Sequence, residues 1–316
     1  MRLATLQGTG RDGQLVKVAP DGRHGADAST VSATLLEAIE RWEEVAPRLA
    51  ALADGAVPID ARRLCAPLPR TWQWLDGSAY RSHSDLMDQL FGAKGERTGR
   101  PLMYQGMSDR FYGPCEDVAV PGEDLGIDFE GEFGVIVDAV PMGISPAAAM
   151  KHIRLIVQIN DWSLRTLAGP EMKTGFGWVQ AKPACSMAPF AVTPDELGAQ
   201  WRDGRVCLDL EIQWNGERFG SANGGPMEFG FHELISHGAR TRELVAGTVI
   251  GSGTVSNANF REVGSSCIAE RRAIEIIDSG EAHTPFMKYG DRVKMAAHTV
   301  DGRAPFGAID QRVVPA

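Results

Sequence analysis

Short apolar runs without regularly spaced helices between them constrain this chain most. Candidate strands run from Phe133 to Val137, Ile153 to Ile159, Val206 to Trp214, Thr248 to Ser252, Arg272 to Ile277 and Asp291 to Ala297. Short helices intervene irregularly, so a doubly wound parallel sheet is disfavoured. Ser82 to Phe91 opens on a capping pattern, Ser82-His83-Ser84-Asp85. Ser145-Pro146 supplies a cap and an N1 proline for another helix. Thirty-six glycines and 18 prolines provide the tight turns that many short elements need. The expected class is a mixed, β-rich α+β fold.

The first segment reads as a β-hairpin. Arg2-Leu3-Ala4-Thr5-Leu6 and Gln14-Leu15-Val16-Lys17-Val18 both alternate, with glycines between them. That separator, Gly8-Thr9-Gly10-Arg11-Asp12-Gly13, has the letters of a dinucleotide-binding loop. The motif needs a following helix whose N-terminus holds the pyrophosphate. A strand pattern follows here, so a turn is expected instead. After Ser29 and Thr30, Leu35, Leu36, Ile39 and Trp42 fall on one helical face. Pro47 is expected to end or kink that helix. Residues 54–69 are rich in Pro, Ala and Asp. A boundary near residue 70 then separates a small N-terminal domain (1–69) from a larger one (70–316).

Hydrophobic residues make up 43% of the chain and charged residues 23%, as in ordinary globular proteins. The net charge of −9 opposes phosphate backbones, so no nucleic-acid partner is expected. Cys65, Cys115, Cys185, Cys207 and Cys267 are scattered and form no C-x-x-C pair. That argues against a zinc site or a disulfide framework. The first residues lack an apolar core of signal-peptide length. No run approaches the roughly 18 apolar residues of a membrane span. A cytoplasmic protein with no membrane partner is the expectation.

The acidic residues carry the chemistry. Glu130 and Glu132 stand two apart in Asp128-Phe129-Glu130-Gly131-Glu132-Phe133-Gly134. In a strand both carboxylates share a face, and Phe129 and Phe133 take the other. The pattern describes either a strand entering the core from a solvated end or two acids aimed at a ligand. Asp161 ends the run Ile156-Val157-Gln158-Ile159-Asn160 and precedes Trp162. It is either a turn or cap residue or a ligand, and Asp76 in Trp74-Leu75-Asp76-Gly77-Ser78 shares that ambiguity. Four such carboxylates suit Mg²⁺ or Ca²⁺ better than zinc or copper, but spacing alone does not show that they converge. His83 is either a general base or a helix-start residue. His232, His237, His283 and His298 sit in ordinary contexts. No H-E-x-x-H, G-x-S-x-G or P-loop pattern is present.

Several segments occur in one order: Asp128-Phe129-Glu130-Gly131-Glu132, Asn160-Asp161-Trp162-Ser163-Leu164-Arg165, Ala181-Lys182-Pro183 and Gly251-Ser252-Gly253-Thr254-Val255-Ser256. The C-terminal stretches Phe286-Met287-Lys288-Tyr289-Gly290-Asp291-Arg292-Val293 and Phe306 to Val313 follow them. This ordered set, over roughly residues 70–316, resembles the fumarylacetoacetate hydrolase family, in particular its fumarylacetoacetase-like branch. The resemblance implies a catalytic domain built as a rolled, mixed β-sandwich, preceded by a small β-rich domain, in a homodimer. It implies that Asp76, Glu130, Glu132 and Asp161 ligate one Mg²⁺ or Ca²⁺. It matches His83 to a water-activating histidine and Glu270 to the glutamate that orients it. Lys182 and Arg165 match positive groups near the substrate oxygens, and Tyr104 and Thr254 match substrate contacts.

The implied activity is hydrolysis of a carbon–carbon bond in a small anionic β-diketo acid, such as fumarylacetoacetate or an acylpyruvate, in the setting of aromatic catabolism. Three positions depart from the branch. Ser78 stands where a tyrosine is expected, Gly92 where an arginine is expected and Ala168 where a glutamine is expected. Arg81, Lys94 or Arg97 is the available replacement for a lost carboxylate anchor. A lyase on the same scaffold (an oxaloacetate-type decarboxylase or 2-oxo-pentenoate hydratase) and a non-catalytic metal-binding protein are the rival expectations.

Overall fold

The computed structural model describes residues 1–8, 10–91 and 99–316. Thr9, Gly92, Lys94 and Arg97 lie outside the described residues. The N-terminal hairpin forms: β1 (Arg2–Leu6) pairs antiparallel with β2 (Gln14–Val18), with Leu3 opposite Lys17. The glycine-rich segment between them leads into a strand, as the pattern required. Then come β3 (His24–Asp27), α1 (Leu35–Glu40), α2 (Trp42–Ala51) and β4 (Val57–Pro58).

The helix breaks at Arg41 and not at Pro47. Thr34, rather than Ser29 or Thr30, caps α1 by accepting from Glu37 N, and Arg41 leaves helical geometry at φ −125°, ψ 36°. Pro47 lies in the middle of α2, where its missing N–H costs a single helical bond without ending the helix.

The middle of the chain holds β5 (Trp74–Ser78), α3 (Arg81–Phe91), β6 (Leu102–Gly106), β7 (Val118–Val120), β8 (Ile127–Asp128) and β9 (Gly131–Val137). It continues with α4 (Pro146–Ala149), β10 (Ile153–Asn160), β11 (Ser163–Leu164), α5 (Arg165–Thr174), β12 (Ser186–Met187) and β13 (Ala191–Val192). The last third holds β14 (Trp201–Arg202), β15 (Arg205–Val206), β16 (Asp209–Trp214), β17 (Glu217–Asn223), α6 (Phe231–Gly238) and β18 (Val249–Gly251). It ends with α7 (Phe260–Val263), α8 (Ile268–Ser279), β19 (Arg292–His298) and β20 (Ala308–Pro315).

Three expectations need correction. Arg272–Ile277 is not a strand but part of α8, which Cys267 caps at one end and Gly280 closes in the left-handed region at the other (φ 89°). A short apolar run does not by itself distinguish strand from helix; the flanking caps do. Val206–Trp214 is divided between β15 and β16. α3 begins at Arg81, so Ser82 does not cap it; its hydroxyl instead donates to Ser256 Oγ at 2.9 Å.

Eleven strands form a mixed sheet in the order β4-β3-β2-β1-β13-β10-β9-β18-β5-β6, with β12 beside β10. Five more form a second sheet, β17-β16-β19-β20-β7. Strand alternation divides the core between the faces of the large sheet. Ile136, Leu155, Val157 and Ile159 pack with Leu35, Ile39, Val45 and Leu49 of the N-terminal helices. Phe133, Val135, Val137 and Ile156 pack with Leu210, Ile212, Val293 and Met295 of the small sheet. Gln158 ties the sheets together: it donates to Met295 O (3.1 Å) and accepts from Ala297 N (2.8 Å). The expected β-sandwich is therefore the observed architecture, with helices covering its outer face.

Candidate active site

Strand pairing brings the acids together. β9 lies between β10 and β18, and β18 lies beside β5. Glu132 is opposite Ile159, two residues before Asp161. Asp76 is opposite Gly251 on one side and Tyr104 on the other. Gly251 has a steric reason: a Cβ there would lie 2.2 Å from Asp76 Oδ1. Gly253 has a conformational one as well. Its φ is +75°, a Cβ would meet Gly77 O at 2.4 Å, and its N–H donates to Asp76 Oδ1 at 3.2 Å.

Asp76, Glu132 and Asp161 are buried and each offers a carboxylate oxygen within 4.8 Å of the others. Both oxygens of Glu132 lack a hydrogen-bond partner. A buried, unpaired carboxylate is costly unless something positive meets it. Burial, and then repulsion from Asp161, pushes the Asp76 carboxyl well above its ordinary range. Burial, followed by Asp76 and Asp161, does the same to Glu132. An all-oxygen donor set with surplus negative charge fits a hard divalent cation.

Glu130 has different company. Its Oε1 accepts from Lys182 Nζ (2.7 Å) and Ser163 Oγ (2.5 Å), and its Oε2 accepts from the Thr254 hydroxyl. Burial alone would raise its pKa, but Arg165 and Lys182 outweigh that and hold it below the carboxylate range. Lys182 also donates to Asp161 Oδ2 (2.5 Å), where Tyr104 Oη donates at 2.7 Å. Burial and then Asp161 push the Tyr104 phenol well up. So the structure gathers Asp76, Glu132 and Asp161 into one cluster and joins Glu130 to it through Lys182.

Arg165 is neither a surface ion pair nor a free cation. Its Nε donates to Asp128 Oδ2 (2.8 Å), and its Nη2 lies 2.9 Å from Glu130 Oε1. Fully buried Asp128 also accepts from Ile268 N (2.7 Å) and Ala269 N (2.9 Å) in the first turn of α8. That helix carries Glu270, whose Oε2 lies 2.7 Å from His83 Nδ1. Glu270 is fully buried and His83 is partly exposed. A carboxylate partner requires the proton on Nδ1, which leaves Nε2 free to accept one.

Three neighbours escaped the sequence reading. Asp128 was quoted only as part of a motif, although it anchors both Arg165 and α8. Cys185 Sγ donates to Asp161 Oδ1 at 2.9 Å, with nothing local to announce it. Trp178 meets the Tyr104 ring edge to face, centroids 4.9 Å apart at 79°. An aromatic residue four positions before Lys182 was the available signal.

The family model described as fumarylacetoacetate (FAA) hydrolase C-terminal matches residues 73–314. The chain belongs to the fumarylacetoacetate hydrolase family. A second model, fumarylacetoacetase N-terminal domain 2, matches residues 1–70. Among solved structures of this fold, a fumarylacetoacetate hydrolase from psychrophilic Exiguobacterium antarcticum superposes with a TM-score of 0.70 at 20% identity, covering 100% of both chains. A maleylpyruvate hydrolase from Sphingobium sp. SYK-6, in complex with manganese(II) and pyruvate, gives 0.68 at 17% identity, again over 100% of both. A curated relative, 2,4-didehydro-3-deoxy-L-rhamnonate hydrolase of Sphingomonas sp. (strain SKA58), is 29% identical over 157 residues, 49% of this chain and 52% of its own length. The chain thus spans about half the length of the curated relatives it matches. Among the described residues of this fumarylacetoacetate hydrolase family member, no helix is long and apolar enough to cross a membrane.

Proposed function

We propose that the chain is a divalent-metal-dependent hydrolase that cleaves a carbon–carbon bond in a small β-diketo acid of the fumarylacetoacetate or acylpyruvate type. The observation that supports this most is the 2.7 Å contact between His83 Nδ1 and Glu270 Oε2, in a chain that also clusters Asp76, Glu132 and Asp161. Hydrolysis needs an activated water, and a histidine oriented by a buried carboxylate is a competent base. Mg²⁺ or Ca²⁺, held by Asp76, Glu132 and Asp161, would polarise a carbonyl of the bound acid. Glu130 would complete the ligand set on releasing Thr254 or Lys182.

In this reading His83 Nε2 takes a proton as water adds to the acyl carbonyl. The bond from that carbon to the neighbouring methylene then breaks, and its electron pair stays on the methylene carbon. That carbon receives the proton, giving one carboxylic acid and a smaller oxo acid, a 2-oxo acid from an acylpyruvate and a 3-oxo acid from fumarylacetoacetate. Lys182 would offset the charge that builds on the attacked oxygen, and Arg165 would support it from behind Glu130. Tyr104 and Thr254 would contact the bound acid. The reading includes residues 1–69 as a small domain beside a catalytic domain of residues 70–316. It includes a cytoplasmic homodimer acting in aromatic catabolism; light scattering on the purified chain tests the dimer.

The deciding experiment measures 2-oxo acid release from 2,4-diketo acids beside oxaloacetate decarboxylation, with Mg²⁺ or Ca²⁺ added. Hydrolysis that depends on the metal is expected. Decarboxylation alone would replace the proposal with a lyase. Metal binding without any turnover would replace it with a binding protein.

A further inference from the structure

The ammonium that touches Glu130 and Asp161 also faces two aromatic rings. Lys182 Nζ lies 5.6 Å from the Tyr104 centroid and 5.9 Å from that of Trp178, within the range of a cation–π contact. Trp178 is half-buried and held in place. Its Nε1 donates to Ala168 O at 3.2 Å. The Glu171 carboxylate gathers the next three backbone N–H groups, of Val179 (3.2 Å), Gln180 (2.9 Å) and Ala181 (2.9 Å). These bonds dock the segment after α5 back onto the helix and fix the indole beside Tyr104. Leu102 stands two residues before Tyr104 on β6, hence on the same face, and is exposed. Phe176 and Val179 flank Trp178 at 98% and 83% exposure, so apolar surface continues outward from the indole. Ser78, a small residue, is opposite Leu102 on the neighbouring strand, and the backbone carbonyl of Ala168 accepts the indole N–H.

We propose that Trp178 is a specificity-determining residue that walls, with Tyr104, the place taken by the acyl half of the substrate, and that this half is apolar. The substrate class is then a 2,4-diketo acid with one carboxylate and an aliphatic or aromatic acyl group, rather than a dicarboxylate. This rests on the hydrolase reading above. An indole fixed by polar bonds at its edge loses little freedom on binding and offers an apolar face to a chain of methylenes.

The test compares acetyl-, pentanoyl- and benzoylpyruvate with fumarylpyruvate on the Mg²⁺-loaded chain and its Trp178→Ala and Trp178→Phe variants. Turnover and calorimetric binding are both measured. The wild type should prefer the pentanoyl and benzoyl compounds over acetylpyruvate and fumarylpyruvate in kcat/KM. Trp178→Ala should cut the pentanoyl-to-acetyl ratio about tenfold, mainly through KM, because a lost apolar contact is lost from ground and transition state alike. Trp178→Phe should restore part of the ratio, which a folding defect would not predict. Diketo acids hydrolysed with the ratio unchanged in Trp178→Ala, or fumarylpyruvate preferred by the wild type, overturn the inference and leave the hydrolase reading intact. No turnover, but chain-length-dependent binding that Trp178→Ala abolishes, overturns the hydrolase reading and keeps the inference. Neither turnover nor binding overturns both.

Discussion

The two halves of the acidic site handle buried charge in opposite ways. On one side Asp128, Glu130 and Asp161 are met by Arg165 and Lys182, and Glu130 is drawn below the carboxylate range. On the other side, among the described residues, no salt bridge reaches Asp76 or Glu132, neither Glu132 oxygen has a hydrogen-bond partner, and burial pushes both carboxyls up although Lys182 opposes it. A few ångströms apart, one half is neutralised by the chain itself and the other carries surplus negative charge. The difference teaches that the two halves meet at Asp161, which is paired with Lys182 and also belongs to the carboxylate cluster. Lys182 and Arg165 hold Glu130, whereas no described residue hydrogen-bonds Glu132.

Removing the metal breaks that comparison most severely. Chelation should abolish diketo-acid hydrolysis, and Mg²⁺ or Ca²⁺ should restore it; full activity with metal content verified as nil would refute this. Glu132→Gln sharpens the point, because it deletes an unpaired buried charge while keeping the shape. Its metal-free form should melt at a higher temperature than metal-free wild type, while metal affinity falls by more than the roughly 10–100-fold typical of losing a supporting residue. Asp161→Ala should also lose metal, but without the gain in stability, since Lys182 and Tyr104 then lose their partner.

The next effect concerns the base. His83→Ala should lower kcat about 10²–10⁴-fold, and Glu270→Gln less, since orientation weakens while the imidazole remains. Calorimetry should find metal affinity within about twofold of wild type in both, as neither belongs to the donor cluster. Wild-type rates in metal-loaded His83→Ala would end the proposed mechanism.

Smaller in rate but large in stability is Lys182→Met. Removing one partner of a buried ion pair strands the other, at about 3–5 kcal/mol, and here Asp161 is left without its cation while Glu130 keeps Arg165. Urea denaturation of the metal-free chain measures it; a loss below about 1 kcal/mol would show that Glu130 and Asp161 are not paired as described.

The smallest effect is a pH dependence whose sign for Glu130 is opposite to that for Asp76 and Glu132. Asp76 and Glu132 have folded-state pKa values above their ordinary 3.8 and 4.5. Their contribution to stability is full below those ordinary values and is lost as pH rises through the raised ones. Glu130, held low, contributes above its ordinary 4.5 and loses that as pH falls. Metal-free protein should therefore lose stability as pH rises above those ordinary values, and metal-loaded protein should lose much less. Equal slopes in paired denaturation curves would contradict the assignment of an unpaired half.

Much of this was legible in the order of residues. Alternation along Gln14–Val18 sets that strand, and the short apolar runs of Phe133–Val137 and Ile153–Ile159 mark strands buried on both faces. The Asp-Phe-Glu-Gly-Glu segment placed Glu130 and Glu132 on one side, which is where both meet Asp161's surroundings. The Arg272–Ile277 run was misread because α8 is defined by its caps, Cys267 and Gly280, more than by its apolar residues. Only the tertiary structure decided which carboxylate meets which partner. Asp76 and Glu132 are 56 positions apart, and they converge because β18 pairs with both β5 and β9. The union of His83 with Glu270, 187 positions away, depends on Asp128 fixing the first turn of α8. By itself the sequence determined the acids, the strands that carry them and the family. The pairing of those strands decided which charges are neutralised within the chain and which are left unpaired among the described residues, because burial and distance, not residue type, set the energy of a charge.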